Sequence, residues 1–137
     1  MNAMKNEVRA INPARLPKLS TLVSHGVVVE RAGLVYTSGQ LAWDENGKLV
    51  EGDLAAQFRR AYENIDLVLA EAGSSRAKVI SETIYLAGYA PEQAPALMGA
   101  LAGARPPGAT PPSSVAVGVQ TLFAPGFLVE VQVVATL

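Results

Sequence analysis

The sequence predicts an α+β fold, a mixed sheet with two helices on one of its faces. Three observations carry this. Two β-branched runs lie on either side of Ala32-Gly33. An apolar stripe of helical period follows Asp53. Two more valine-rich runs close the chain after a proline-rich loop.

The elements follow in order. Residues 1 to about 20 are polar and contain Pro13 and Pro17, which reads as an N-terminal surface arm. Val27–Arg31 and Leu34–Ser38 form a hairpin around Ala32-Gly33. Asn46-Gly47 is the strongest short turn signal in the chain, and a short third strand over Leu49–Glu51 is expected after it. Asp53 is a helix N-cap. Leu54, Phe58, Ala61, Ile65, Val68 and Ala72 then recur every three or four residues, and Gly73 stands where a helix ends. Lys78–Leu86, rich in β-branched residues, reads as a strand. Pro91 and Glu92 suit the first turn of a second helix, with Ala94, Leu97, Met98 and Leu101 on its apolar face. "GARPPGATPP" is too stiff for helix and too poor in donors for a central strand. Val115–Leu122 and Phe127–Ala135 are strands, with a hairpin expected at "FAPG" between them. The order is β-β-(β)-α-β-α-β-β. Helices on one face leave an apolar sheet face uncovered, and self-association is the economical cover.

Composition narrows the function. The 137 residues suit a single domain over 1–137, and half are apolar, enough for a sizeable core. With a net charge of −1 and no basic cluster interleaved with aromatics, no nucleic-acid partner is expected. The absence of cysteine excludes disulfides, thiolate metal sites and a cysteine nucleophile. A single histidine, His25, excludes a multi-histidine metal site, so neither metal nor cofactor is expected. No apolar run reaches the roughly 18 to 20 residues of a membrane helix, and the N-terminus lacks a signal-peptide core, so no membrane partner and a cytoplasmic location are expected.

With the elements placed, "YTSGQLAWDENGKLVEGDLAAQFRRAYENIDLVLAEAG" resembles the core of the Rid, or YjgF-like, family. The matching positions are Ser38-Gly39-Gln40, Gln57, Asn64-Ile65 and Ala72-Gly73. "KVISETIYLAGYA" and "FLVEVQVVA" are similar to later strands of the family, so the resemblance covers about residues 20–136. It implies a chorismate-mutase-like fold and a homotrimer with sheets packed inward and a small-molecule cleft between neighbours. It also implies hydrolysis of reactive imines and enamines such as 2-aminoacrylate to a keto acid and ammonium.

The resemblance also marks departures. Family members enter the penultimate strand on an arginine that grips the substrate carboxylate, a task suited to a bidentate, permanently charged fork. Here "PPSS" puts Ser114 at that position, or Ser113 if the loop is one residue shorter. The family's closing strand carries two glutamates, the second of which holds the attacking water. Here they are Glu130 and Gln132, and glutamine orients water without acting as a base. A family tyrosine before the first hairpin is matched by Val23, whereas Ser38 is retained. The site implied is therefore Gln132 and Ser114 in catalytic positions, with Ser38, Gly39, Ser113 and Val23 binding substrate and Arg105 as a substitute anion anchor. His25 and Glu130 read as packing or surface residues, and Trp43, Tyr89 and Phe127 as core or interface. Two functions follow: a divergent imine or enamine hydrolase unsuited to 2-aminoacrylate, or a non-catalytic trimer that binds a small ligand or regulates a partner. A ribonuclease activity, sometimes attributed to the family, finds no basic surface.

Overall fold

A computed structural model describes residues 7–137. One seven-stranded mixed sheet is packed by a long helix, α1, with a shorter helix, α2, against it. The strands are β1 (Val8–Ile11), β2 (Gly26–Val29), β3 (Leu34–Thr37), β4 (Gln40–Leu41), β5 (Val79–Ala87), β6 (Ser113–Val119) and β7 (Val129–Thr136). The helices are α1 (Leu54–Ala72) and α2 (Ala94–Ala104). The order across the sheet is β1-β2-β3-β7-β5-β6, and β4 also pairs with β7.

Helix α1 forms as its stripe dictates. The Asp53 carboxylate caps it by accepting from Ala56 N at 2.9 Å, and Gly73 ends it with φ 87°. Phe58, Ile65, Val68 and Leu69 are buried against Val129, Val131, Val133 and Ala135 of β7, which alternate toward the helix. Asn64 donates its amide to the carbonyls of Leu41 and Trp43, and Gln57 donates to those of Gly52 and Gly126, so the helix also holds the loops around it.

Four expectations are corrected. The arm expected over 1–20 is in part a sheet edge. Residues 1–6 lie outside the described residues, but 8–11 pair antiparallel with β2, and Ile11, Pro13, Leu16 and Pro17 are buried. These few apolar side chains are enough to dock the segment although its overall composition is polar. The third strand expected over 49–51 is absent: the Asn46-Gly47 turn closes, yet Leu49 makes only one bridge, to Trp43, and the pairing strand is β4. The "FAPG" hairpin does not form. β6 lies parallel to β5 on its far side, and β7 pairs antiparallel with β5 and β3. The connection after β6 is long enough to cross β5, and the strand that follows the donor-poor proline loop takes the edge. Met98, expected on the apolar face of α2, is 63% exposed, whereas Leu97 is buried.

The face of the sheet away from the helices carries Val27, Tyr36, Thr83, Tyr85, Val115, Val117 and Val134, none of them fully buried. Tyr36, Val115 and Val117 are among the exposed large apolar side chains. An apolar face of this extent is what a subunit contact would cover.

Candidate functional site

The strand β3–β4 breaks where it passes β7. Tyr36 faces Val134 and Gln40 faces Val131, so residues 37–39 stand against only 132 and 133. That extra residue is a β-bulge, a feature that re-aims side chains beside functional sites. Thr37 steadies it by accepting from Val133 N at 3.1 Å. Ser38 donates its hydroxyl to the Ser24 carbonyl at 2.6 Å and its backbone N–H to that of His25 at 2.8 Å. The loop carrying Val23 is thereby tied to the bulge, and Val23 is exposed beside it.

Gly39 of the bulge lies under the carboxyl of Glu130. A methyl group on Gly39 would stand 1.9 Å from Glu130 Oε2, so only glycine permits this approach. Glu130 pairs across the sheet with Tyr85 on one side and Leu41 on the other. Leu41 belongs to a second apolar cluster with Trp43 and Phe127. Burial raises the Glu130 carboxyl above its ordinary value, and no ion pair among the described residues opposes the shift. A half-buried carboxyl with a raised pKa beside a bulge is a candidate general acid and base.

Sequence reasoning favoured Gln132 over Glu130. Gln132 pairs with Thr83 on the same open face, one pleat farther along, and is exposed. Position in the strand does not distinguish the two; the close approach to Gly39 is made by Glu130.

The two serines part company. Ser113 pairs with Ser81, and Ser114 with Glu82. Because adjacent residues of a strand point to opposite faces, Ser113 lies on the open face and Ser114 on the helix face. There Ser114 donates its hydroxyl to Glu82 Oε1 at 2.7 Å. Glu82 is 1% exposed and also receives the Tyr62 hydroxyl and both arms of the Arg105 guanidinium, one of them at 2.9 Å. Burial alone would raise the Glu82 carboxyl; the hydrogen bonds from Arg105, Tyr62 and Ser114 outweigh it and hold the pKa low. Burial and the Glu82 carboxylate push the Tyr62 phenol up.

One subunit therefore does not bring Ser38, Ser114 and Gln132 into one pocket. Ser114 and Gln132 are on opposite faces, and only a second copy could close the distance. Arg105, expected as a substitute anchor, is held by Glu82. The sequence signal for that pair is a lone glutamate inside the β-branched run of β5. His25 is a packing residue. Trp43 Nε1–H donates to Gln40 Oε1 at 3.2 Å, the Gln40 amide donates to His25 Nδ1 at 3.0 Å, and His25 Nε2–H donates to the Pro17 carbonyl at 2.7 Å. Trp43 and Phe127 join the second cluster, and Tyr89 packs against the main core. Among the described residues no group of three or more His, Cys, Asp or Glu could hold a metal ion.

Comparison with known proteins adds the lineage. The family model described as Endoribonuclease L-PSP matches residues 17–137. The chain is 39% identical over 75 residues to "Protein mmf1, mitochondrial" of Schizosaccharomyces pombe, covering 55% of this chain and 46% of that protein. It is 34% identical over 80 residues to the human protein named 2-iminobutanoate/2-iminopropanoate deaminase, covering 58% of this chain and 57% of that one. The chain thus spans about half the length of the curated relatives it matches. A solved structure titled as a protein of unknown function of the conserved Rid protein family, YyfA from Yersinia pestis, superposes with a TM-score of 0.82 at 28% identity, covering 95% of this chain and 99% of that one.

Proposed function

The chain belongs to the Endoribonuclease L-PSP family, also called YjgF or Rid, and from that premise we propose that it hydrolyses a small imine or enamine bound beside the Ser38-Gly39 bulge. The observation that carries this is the Glu130 carboxyl, held half-buried over Gly39 with its pKa raised. The protonated carboxyl donates to the imine nitrogen, and the carboxylate so formed takes a proton from the water that attacks the carbon. The carbinolamine moves a proton from oxygen to nitrogen, its C–N bond breaks, and a carbonyl compound and ammonia leave. Gln132 orients the water. Ser38 holds the loop of Val23 at the edge of the site, and Ser113 offers a hydroxyl on the same sheet face.

The substrate class differs from that named for the human relative. Arg105 is bound by Glu82, no arginine or lysine lies in strands β2 to β7, and Arg9 of β1 pairs with Val28 on the helix side. A substrate without a carboxylate, or one whose carboxylate stays in solvent, fits such a site. The same observation favours a second reading, in which the cleft binds a neutral ligand without turnover. A homotrimer with open faces inward is part of the proposal, supported by the exposed Tyr36, Val115 and Val117. So is a cytoplasmic location; no described helix is long and apolar enough to cross a membrane.

The test compares two species made in situ, the imine of an apolar aromatic amino-acid ester, formed by N-chlorination and elimination of HCl, and 2-aminoacrylate, formed by dehydration of serine. The hydrolase reading expects saturable clearance of the ester, lost in Glu130→Gln, and no acceleration for 2-aminoacrylate. Saturable binding with no clearance supports the second reading. Clearance that survives Glu130→Gln refutes the assignment of Glu130.

A further inference from the structure

On the helix side, away from the Glu130 site, α1 and α2 do not close on each other. Between them runs a cavity of about 240 Å³. Phe58 and Tyr62 form its floor, and Ala96, Gly99, Ala100 and Gly103 its α2 wall. A Cβ built on Gly99 or Gly103 meets nothing within 4 Å, so these positions face open space.

A second feature is independent of the cavity. Helix α2, "APALMGALAGA", has no charged or polar side chain, yet Leu97 and Ala104 alone are buried. A surface helix ordinarily turns a polar face to water, and one that does not is ordinarily covered. Met98, exposed at 63%, continues the apolar surface.

The charges at the mouth say what covers it. Arg76 lies 4.7 Å over the Tyr62 ring, pairs with Asp66 and donates to the Ala104 carbonyl, closing one end of the cavity. Arg59, also lining it, is exposed and makes no ion pair among the described residues. An apolar slot with one unneutralised guanidinium suits an amphiphile with a single small anionic head. A carboxylate matches the fork of one arginine, whereas a phosphate dianion would call for more cations. From Ala96 to Ala104 the slot runs about 12 Å along α2. Its volume falls below the roughly 300 Å³ at which drug-sized ligand sites begin.

We propose that the α1–α2 groove binds a medium-chain aliphatic carboxylate, with the chain over Phe58 and Tyr62 and the head on Arg59.

Calorimetry with sodium octanoate on the full chain tests this, with octylammonium as the charge control. Saturable octanoate binding near one per chain is expected, with octylammonium at least about tenfold weaker, the scale of one charge-assisted contact. Gly103→Leu fills the slot at a position where leucine is the better helix former, so the melting temperature should not fall while octanoate affinity drops about tenfold or more. Arg59→Glu should reverse the preference between the two probes. No saturation by octanoate, undiminished binding in Gly103→Leu, or a smaller assembly mass in Gly103→Leu, which would put a second copy in the groove, each overturns the proposal.

Discussion

Gly39 lies so close under Glu130 that an added Cβ would meet the carboxyl oxygen at 1.9 Å and its carbon at 2.7 Å. The atoms displaced belong to the far end of a flexible side chain, so Gly39→Ala should cost less than about 1 kcal/mol of stability. It should nevertheless swing the carboxyl into water and bring its pKa back toward the ordinary 4.5. Carboxyl-detected NMR titration of Glu130 reads this directly. An unchanged titration in Gly39→Ala would show that the glycine does not set the carboxyl's environment.

The raised pKa also has a sign in catalysis. The acid form of Glu130 donates the proton, so turnover of an apolar imine should fall as pH rises through that raised value. Glu130→Gln should remove the limb together with most of the rate. A pH-independent rate would separate Glu130 from the proton transfer.

Arg105 makes the opposite kind of contribution, to folding. Arg105→Met leaves the fully buried Glu82 carboxylate without its cation. Loss of one partner of a buried pair costs about 3–5 kcal/mol, and with Arg105 23% exposed the expectation is nearer 2–3 kcal/mol. The measurement is a urea unfolding curve at neutral pH. A loss under about 0.5 kcal/mol would mean that Tyr62 and Ser114 suffice to hold the charge.

Acid titration probes the same cluster. The folded-state pKa of Glu82 is depressed, so its contribution is fully present above the unfolded value of 4.5 and is lost as pH falls through the folded pKa. Glu130 runs the other way: its raised pKa contributes stability at low pH that is lost as pH rises through it. Wild type should therefore lose stability below about pH 4.5, and Glu82→Gln should flatten that limb. An equally steep acid limb in Glu82→Gln would place the proton uptake elsewhere.

Val117 reports on assembly. It sits on the open face beside Tyr85 and is exposed in the single chain. Light scattering should give wild type about three times the 14.3 kDa chain mass, and Val117→Glu should give the chain mass alone. A wild-type monomer at micromolar concentration would sink the trimer.

Much of this was legible locally. The stripe from Leu54 to Ala72, the cap at Asp53 and the left-handed Gly73 are decided within a turn or two of chain, and the helix follows the sequence almost residue for residue. The hairpin at Ala32-Gly33 and the turn at Asn46-Gly47 are likewise short-range. The family motif around Ser38-Gly39-Gln40 drew Ser38 and Gly39 into the expected site, but the bulge there is a property of the register with β7.

Strand order and side-chain pairing were not legible, because they depend on residues far apart in the chain. The last two strands are local neighbours in sequence, but burial on α1 placed β7 in the middle of the sheet and left β6 at the edge. Period-2 alternation tells which residues share a strand face but not which face of the sheet it is. Register alone put Ser114 with Glu82 on the helix side and Gln132 with Thr83 on the other. The amino-acid sequence by itself determined the two helices, the cap at Asp53 and the turns at Ala32-Gly33 and Asn46-Gly47. The tertiary structure decided that Arg105 serves Glu82 and that Glu130, over Gly39, is the carboxyl kept partly dry. Desolvation and ion pairing are properties of what surrounds a group in three dimensions, and none of these partners is close to the other in the chain.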